Sequence, residues 1–312
     1  MVRVAPDLAL HVEERGSGSP LLLLHGFTGS ARSWDAVADR WATRRRVLAV
    51  DLIGHGRSEA PMDRRRYAME SAVVDLSSLL DALGIQDASV AGYSLGGRVA
   101  LRLVLERPER VAALVLVSAS PGIADAGLRA ARRERDEALA DRIERDGVRS
   151  FVDLWEREPL FASQRDLPEA ARAALRATRL AQRPHGLANS LRGMGAGAME
   201  PLWGRLARVR APALVVTGAL DDRYGAIGAR LLVPDGAKVD KGKILATWDA
   251  HMVPVLNEKG GRIRFEDIVE GVTMRIELDP KTKFRRMVII EHKGDLHPNI
   301  TIVDPKTEEA LA

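Results

Sequence analysis

The chain has no cysteine. It therefore has no disulfide framework, no thiolate nucleophile and no cysteine-held metal, and the absence fits a reducing compartment. Long apolar runs are missing as well: none approaches the ~20 residues needed to cross a bilayer. Residues 1–16, MVRVAPDLALHVEERG, carry acids early and no signal-type apolar stretch. The expectation is a cytoplasmic protein with no membrane partner. Lysine is absent from the first 230 residues, which hold 34 Arg against 29 acids, a net +5. All 8 Lys lie in residues 231–312, beside 5 Arg and 14 acids, a net −1. Neither part is basic enough to suggest direct nucleic-acid binding by charge. The switch in basic residue reads as two stretches of different origin joined near Arg230. What is present is 312 residues, 46% hydrophobic and 29% charged. That composition excludes a disordered chain and leaves room for two domains, here 1–230 and 231–312.

In the first stretch, short apolar runs end in polar turns at residues 20–25, 46–51, 88–93, 111–117 and 212–218. Continuous apolar runs of this length read as strands buried on both faces. Amphipathic stretches at 68–83 and 96–107 lie between them. Strands alternating with helices give an α/β class with a mostly parallel sheet covered on both sides. Residues 124–200 are rich in Ala, Arg, Leu and Glu and lack strand-like runs. They read as a helical cap broken at Pro159, Pro168 and Pro184; most of its arginines belong on solvated helix faces.

Residues 92–96, GYSLG, fall between a strand and a helix, the context that the G-x-S-x-G nucleophile elbow requires. Glycine permits the sharp turn, which would lift the Ser94 hydroxyl above the sheet. Residues 25–29, HGFTG, follow the first buried strand. A loop there supplies one oxyanion-hole N–H, from Phe27, and the residue after the nucleophile, Leu95, supplies the other. His25 then shapes the loop and is not the base. Residues 218–221, GALD, follow the last clear strand, where the triad acid belongs. Asp221 is preferred, and Asp222 is an adjacent competitor.

These features resemble the α/β-hydrolase fold, and within it the 2-succinyl-6-hydroxy-2,4-cyclohexadiene-1-carboxylate synthases of menaquinone biosynthesis. The resemblance rests on residues 25–29, 51–58 (DLIGHGRS), 92–98 (GYSLGGR), 120–123 (SPGI), Trp155 with 159–163 (PLFAS), and 186–192 (GLANSLR). It implies a lyase without metal or organic cofactor. A histidine-activated Ser94 would take a proton from an enolpyruvyl cyclohexene dicarboxylate; pyruvate leaves and the ring gains a double bond. Arg98, Arg132 and one of Arg176 or Arg179 would meet the anionic substrate, since arginine offers carboxylates a planar fork. Tyr93 and Trp155 would line the pocket.

A triad also needs its histidine. No Gly-His pair follows Asp221, so the hydrolase-type sheet reads as truncated at its C-terminal end, with the 212–218 strand left as an exposed edge. His251 lies 30 residues after Asp221 and is the substitute candidate, ahead of His292 and His297. Without a base Ser94 is a poor proton acceptor.

Residues 231–312 read as a small all-β module. Hairpin-like patterns occupy 234–249 and 260–273, and strands follow at 286–291 and 299–303. Residues 235–242 (DGAKVDKG), 265–273 (FEDIVEGVT) and 291–298 (EHKGDLHP) resemble a barrel-sandwich-type segment of the bacterial RNA polymerase β′ subunit. The segment holds no polymerase active-site motif. A biotinyl or lipoyl carrier is the lesser reading, because no Lys sits at a hairpin tip between small or Met residues. The leading expectation is a composite chain with impaired lyase activity. Its rivals are another ester or C–C hydrolase, and a non-enzymatic composite whose tail contacts polymerase.

Overall fold

The computed structural model describes residues 1–218 throughout. It also describes Tyr224, Ile227, Thr307 and five later strands. The chain divides into two compact units, Met1–Val216 and Thr217–Ala312.

The first unit opens with three short strands, β1 (Val2–Ala5), β2 (Leu8–Leu10) and β3 (Val12–Arg15). There follow β4 (Ser19–Leu24), α1 (Asp35–Ala42), β5 (Arg45–Val50), α2 (Met69–Ala82), β6 (Ala88–Tyr93), α3 (Leu95–Glu106) and β7 (Val111–Val117). The cap comprises α4 (Ala126–Trp155), a 3-10 segment (Pro159–Asp166), α5 (Glu169–Leu180) and α6 (Pro184–Met194), after which the chain returns to β8 (Ala213–Val216). Pro159 and Pro184 each occupy a first helical turn and Pro168 the N-cap of α5, positions where a missing N–H costs no helical bond. α4 bends at Gly147, whose φ is 79°.

The main sheet has the order β3-β5-β4-β6-β7-β8; all neighbours are parallel except β3, which runs antiparallel to β5. Leu22, Leu23 and Leu24 of β4 are all fully buried, as a strand covered on both faces requires. On one side Leu23, Val47, Ala49 and Ala91 pack with Ala31, Trp34 and Ala38 around α1. On the other, α3 lies on β4, β6 and β7. The carboxyl ends of β4 and β6 therefore meet in the middle of the sheet, where open α/β sheets bind ligands. Among the described residues β8 is the edge strand of this sheet, and its Leu214 is 57% exposed.

In the second unit the described elements are β9 (Lys238–Val239), β10 (Gly261–Glu266), β11 (Met274–Leu278), β12 (Arg285–Ile289) and β13 (Asn299–Val303). β10 pairs antiparallel with both β9 and β13, with Arg262 opposite Val303 and Glu266 opposite Asn299. β11 pairs antiparallel with β12. Among the described residues the strand at 261–266 thus pairs with 299–303 and 238–239; residues 267–273 of the 260–273 pattern lie outside the described residues.

Candidate active site

Ser94 joins β6 directly to α3 with φ 51° and ψ −105°, a backbone state that ordinary side chains adopt only where the surroundings over-determine it. Two backbone bonds fix it: Ser94 N–H donates to Val117 O at 2.9 Å, and Arg98 N–H donates to Ser94 O at 3.1 Å. The turn closes because Gly92 and Gly96 lack side chains. A Cβ on Gly92 would lie 2.4 Å from Gly96 O, and one on Gly96 would lie 2.2 Å from Leu24 O. The half-buried Ser94 stands at the N-terminus of an otherwise buried helix.

The loop after β4 lies against this turn. Gly96 N–H donates to His25 O at 3.0 Å. A Cβ on Gly26 would stand 2.7 Å from the Tyr93 ring and 3.5 Å from Ser94 Cβ. His25 is fully buried, with Nδ1 2.7 Å from Gly26 O and Nε2 accepting from Leu52 N–H at 3.0 Å. Only the Nδ1–H tautomer satisfies both contacts. Burial lowers the His25 pKa, against the opposing influence of Gly26 O and Asp51. Burial likewise pushes His55 down to about 3, helped by His25, whose ring centroid is 5.0 Å away. Both ring nitrogens of His25 are engaged by the loop backbone, so this ring shapes the loop and is not free to take a proton from Ser94. Among the described residues, no acceptor takes the N–H of Phe27 or of Leu95.

The cap reaches this loop through aromatic rings. Phe27 meets Phe151 at 6.1 Å and Trp155 at 5.7 Å, and Trp155 meets Phe161 at 5.3 Å. Each candidate cation already has a partner. Arg98, 8% exposed, donates to Met194 O at 2.9 Å. Arg132 pairs with the buried Asp136 at 2.8 Å. Arg176 and Arg179 share Glu156, at 2.6 and 2.9 Å; Arg176 also holds Asp153, and Arg179 reaches Gln164 and lies 5.1 Å from the Phe161 ring centre. A cleft of about 370 Å³ opens beside this pair, lined by Phe161, Gln164, Arg165 and Arg172 among others. Ser94, Phe27 and Leu95 are not part of its lining.

The structure therefore brings Ser94, Leu95, Tyr93 and the Phe27 loop together, joins Trp155 to Phe27, and sets Arg176 beside Arg179. Asp221, Asp222, His251, His292 and His297 lie outside the described residues. Among the described residues no group of His, Asp and Glu could hold a metal ion, and no helix is long and apolar enough to cross a membrane.

Residues 19–224 match the family described as the alpha/beta hydrolase fold. The chain belongs to the α/β-hydrolase fold family. Within that family it is similar to a Bacillus subtilis (strain 168) protein named "Putative 2-succinyl-6-hydroxy-2,4-cyclohexadiene-1-carboxylate synthase". The two are 41% identical over 228 residues, which cover 72% of this chain and 83% of that protein. The solved structure of MenH from S. aureus superposes with a TM-score of 0.68 at 32% identity, covering 72% of this chain and 84% of that one. A separate segment is 50% identical over 86 residues to the DNA-directed RNA polymerase subunit beta′ of Methylacidiphilum infernorum (isolate V4), covering 28% of this chain. That match spans only 6% of the β′ subunit.

Within the α/β-hydrolase unit, three residues that brace the candidate site were not singled out as candidates from the sequence. Asp51, 2% exposed, accepts from Ala31 N–H at 2.5 Å and Arg57 N–H at 2.8 Å, and so shapes the 51–58 loop. Glu156 neutralises two of the candidate cations. Gln182 ties the cap to the loops beneath it. The DLIGHGRS string pointed to the Asp51 loop, but nothing local marked the other two.

Proposed function

We propose that the α/β-hydrolase unit is a lyase site. It would eliminate pyruvate from an enolpyruvyl cyclohexene dicarboxylate to give 2-succinyl-6-hydroxy-2,4-cyclohexadiene-1-carboxylate, the product that the names of its relatives carry. The observation that carries the reading is the Ser94 turn set against two backbone N–H groups, Phe27 and Leu95, that no described residue accepts from, in a chain 41% identical to such a synthase. In this reading Ser94 Oγ removes a ring proton and passes its own proton to a histidine. The electron pair forms the new ring double bond, the enolpyruvyl C–O bond breaks, and the departing enolate takes up one proton, the equivalent of the one lost from the ring, to become pyruvate. The oxyanion that develops on the carbonyl next to the deprotonated ring carbon is met by the Phe27 and Leu95 N–H groups, preorganised donors of the kind that lower such barriers most. No cofactor enters the scheme. Asp221 orients the histidine, and His251 stands in for the family's histidine, whose Gly-His context the sequence lacks.

The cap supplies the grip on the anionic substrate. Arg176 and Arg179 are each bound to Glu156, so a substrate carboxylate must displace that side chain to use them. Arg98 and Arg132 contribute from the floor, and Tyr93 and Trp155 line the walls. A chain whose histidine is out of family context turns over slowly.

We further infer a composite chain, because the β′-like segment accounts for a separate 28% of its length. The β′-like tail adds no catalytic group. Sequencing the source gene across codons 225–240 tests this; an uninterrupted gene whose homologues share the junction contradicts it. For the reaction, the test is pyruvate release by the full chain beside hydrolysis of a simple aryl ester. Ser94-dependent pyruvate release supports the lyase. Ester turnover without pyruvate release establishes the rival, an ester or C–C hydrolase. Folded protein inert in both assays leaves the non-enzymatic composite, whose polymerase contact a pull-down would show.

A further inference from the structure

Gln182 lies in the short turn between α5 and α6 and is 5% exposed. Its side-chain amide joins three segments far apart in sequence. Oε1 accepts from Gly56 N–H at 3.0 Å, 126 residues away. Nε2 donates to Gly29 O at 3.0 Å and Thr178 O at 3.1 Å, with a longer contact to Thr28 O at 3.3 Å. The amide orientation is fixed by chemistry: turned over, its oxygen would face three carbonyl oxygens. Thr28 has φ 67° without being glycine, a state that needs outside support. Gln182 is the buried cap side chain that reaches its carbonyl. The neighbouring Arg183 adds bonds from Nη2 to Ser58 O and, at 3.3 Å, to Gly56 O.

We propose that Gln182 is a positioning residue. It holds the loop that carries Phe27 N–H in register with the cap, so that the oxyanion donor and the cap are set by one side chain. The role requires one acceptor and two donors at a single point, which only an amide supplies. A carboxylate of the same length keeps the Gly56 bond and has no proton for Gly29 or Thr28. The catalytic consequence rests on the lyase reading; the effect on loop order does not.

The test has two arms on the full-length chain, with Gln182→Glu and Gln182→Ala. Hydrogen exchange followed by mass spectrometry reads peptides covering residues 25–30 and 54–58. Local opening there is expected to rise about tenfold in Gln182→Glu, and less in Gln182→Ala, while the β4, β6 and β7 amides keep their protection. Pyruvate release is expected to lose about 10–100-fold in kcat with KM within ~3-fold, as for a displaced donor. Unchanged exchange at 25–30 overturns the proposal. So does a uniform rise across the sheet in both variants, which marks Gln182 as a packing residue only. If the unaltered chain releases no pyruvate, the lyase reading fails while the exchange arm still decides the role of Gln182.

Discussion

The elbow and the cap are built from different interactions. The elbow is held by backbone hydrogen bonds and by close approaches that only glycine allows, between the buried ends of β4 and β6. The cap has a buried apolar seam of its own, where Ile143, Phe151 and Val152 of α4 meet Leu187 and Leu191 of α6, but it adds partly exposed arginine–carboxylate pairs such as Arg192, which reaches Glu137 and Glu144 at 2.9 Å and Asp141 at 2.5 Å. Leu128, Leu154 and Leu160 of the cap stay exposed. Buried backbone bonds are indifferent to salt, whereas partly exposed ion pairs are screened by it. The elbow should therefore behave as a fixed template and the cap as a cover that ionic strength and pH can loosen.

Breaking the elbow should have the largest effect. Gly96→Ala drives a Cβ into Leu24 O, a backbone atom that cannot yield. Overpacking of this kind costs ~3 kcal/mol or more, so Tm should fall by about 6–12 °C or soluble protein be lost; a variant that melts like the parent would refute the close-approach argument. The cap is next. Arg192→Met leaves three carboxylates on α4 facing one another and removes hydrogen bonds to charged groups, worth ~1–3 kcal/mol. Its Tm deficit should shrink in 0.5 M salt by about half or more, since the Debye length there is only a few Å. A deficit that ignores salt would erase the distinction between the two regions.

Relief of strain is a smaller effect of opposite sign. Ser94→Gly should raise Tm by about 2–4 °C, since the φ of 51° costs a side chain ~1 kcal/mol, while removing the reactive hydroxyl. No gain in Tm would mean that the turn stores no strain.

The subtlest comparison is in pH. Burial raises the pKa of Asp75 on α2 despite Arg66 at 2.9 Å. A raised carboxyl pKa means ionisation is easier in the unfolded chain, so this group's contribution falls as pH rises through the folded value. Arg176 lowers the pKa of Asp153 on α4, so that contribution is present above the ordinary carboxylate range and lost as pH falls through the lowered value. Melting curves from pH 3 to 7 should show Asp75→Asn gaining on the parent as pH rises and Asp153→Asn losing ground over the same range. Parallel curves would contradict both assignments.

Much of this architecture was legible in the sequence because burial on both faces leaves continuous apolar runs. The runs at 20–25, 46–51, 88–93 and 111–117 became β4, β5, β6 and β7 within a residue or so. The elbow was legible because its glycines sit within five residues. β1, β2 and β3 were not read. β3 is the polar edge strand VEER and buries too little to leave a pattern. Gln182 and Glu156 were illegible for another reason: the partners that tie them to other segments lie 20 to 154 residues away, and no local spacing encodes such a contact. The cap arginines were found as cations, but the acids that occupy them were not.

Chemical rescue tests the central claim most directly. Pyruvate release from the enolpyruvyl cyclohexene substrate would be followed for the full chain, Ser94→Ala and His251→Ala, with and without added imidazole. If Ser94 is the proton acceptor and lacks a well-placed histidine, imidazole should raise release by the unaltered chain at least ~10-fold, a modest part of what a positioned base supplies, and should do nothing for Ser94→Ala. Equal stimulation of Ser94→Ala, or release that imidazole leaves unchanged, would contradict the account.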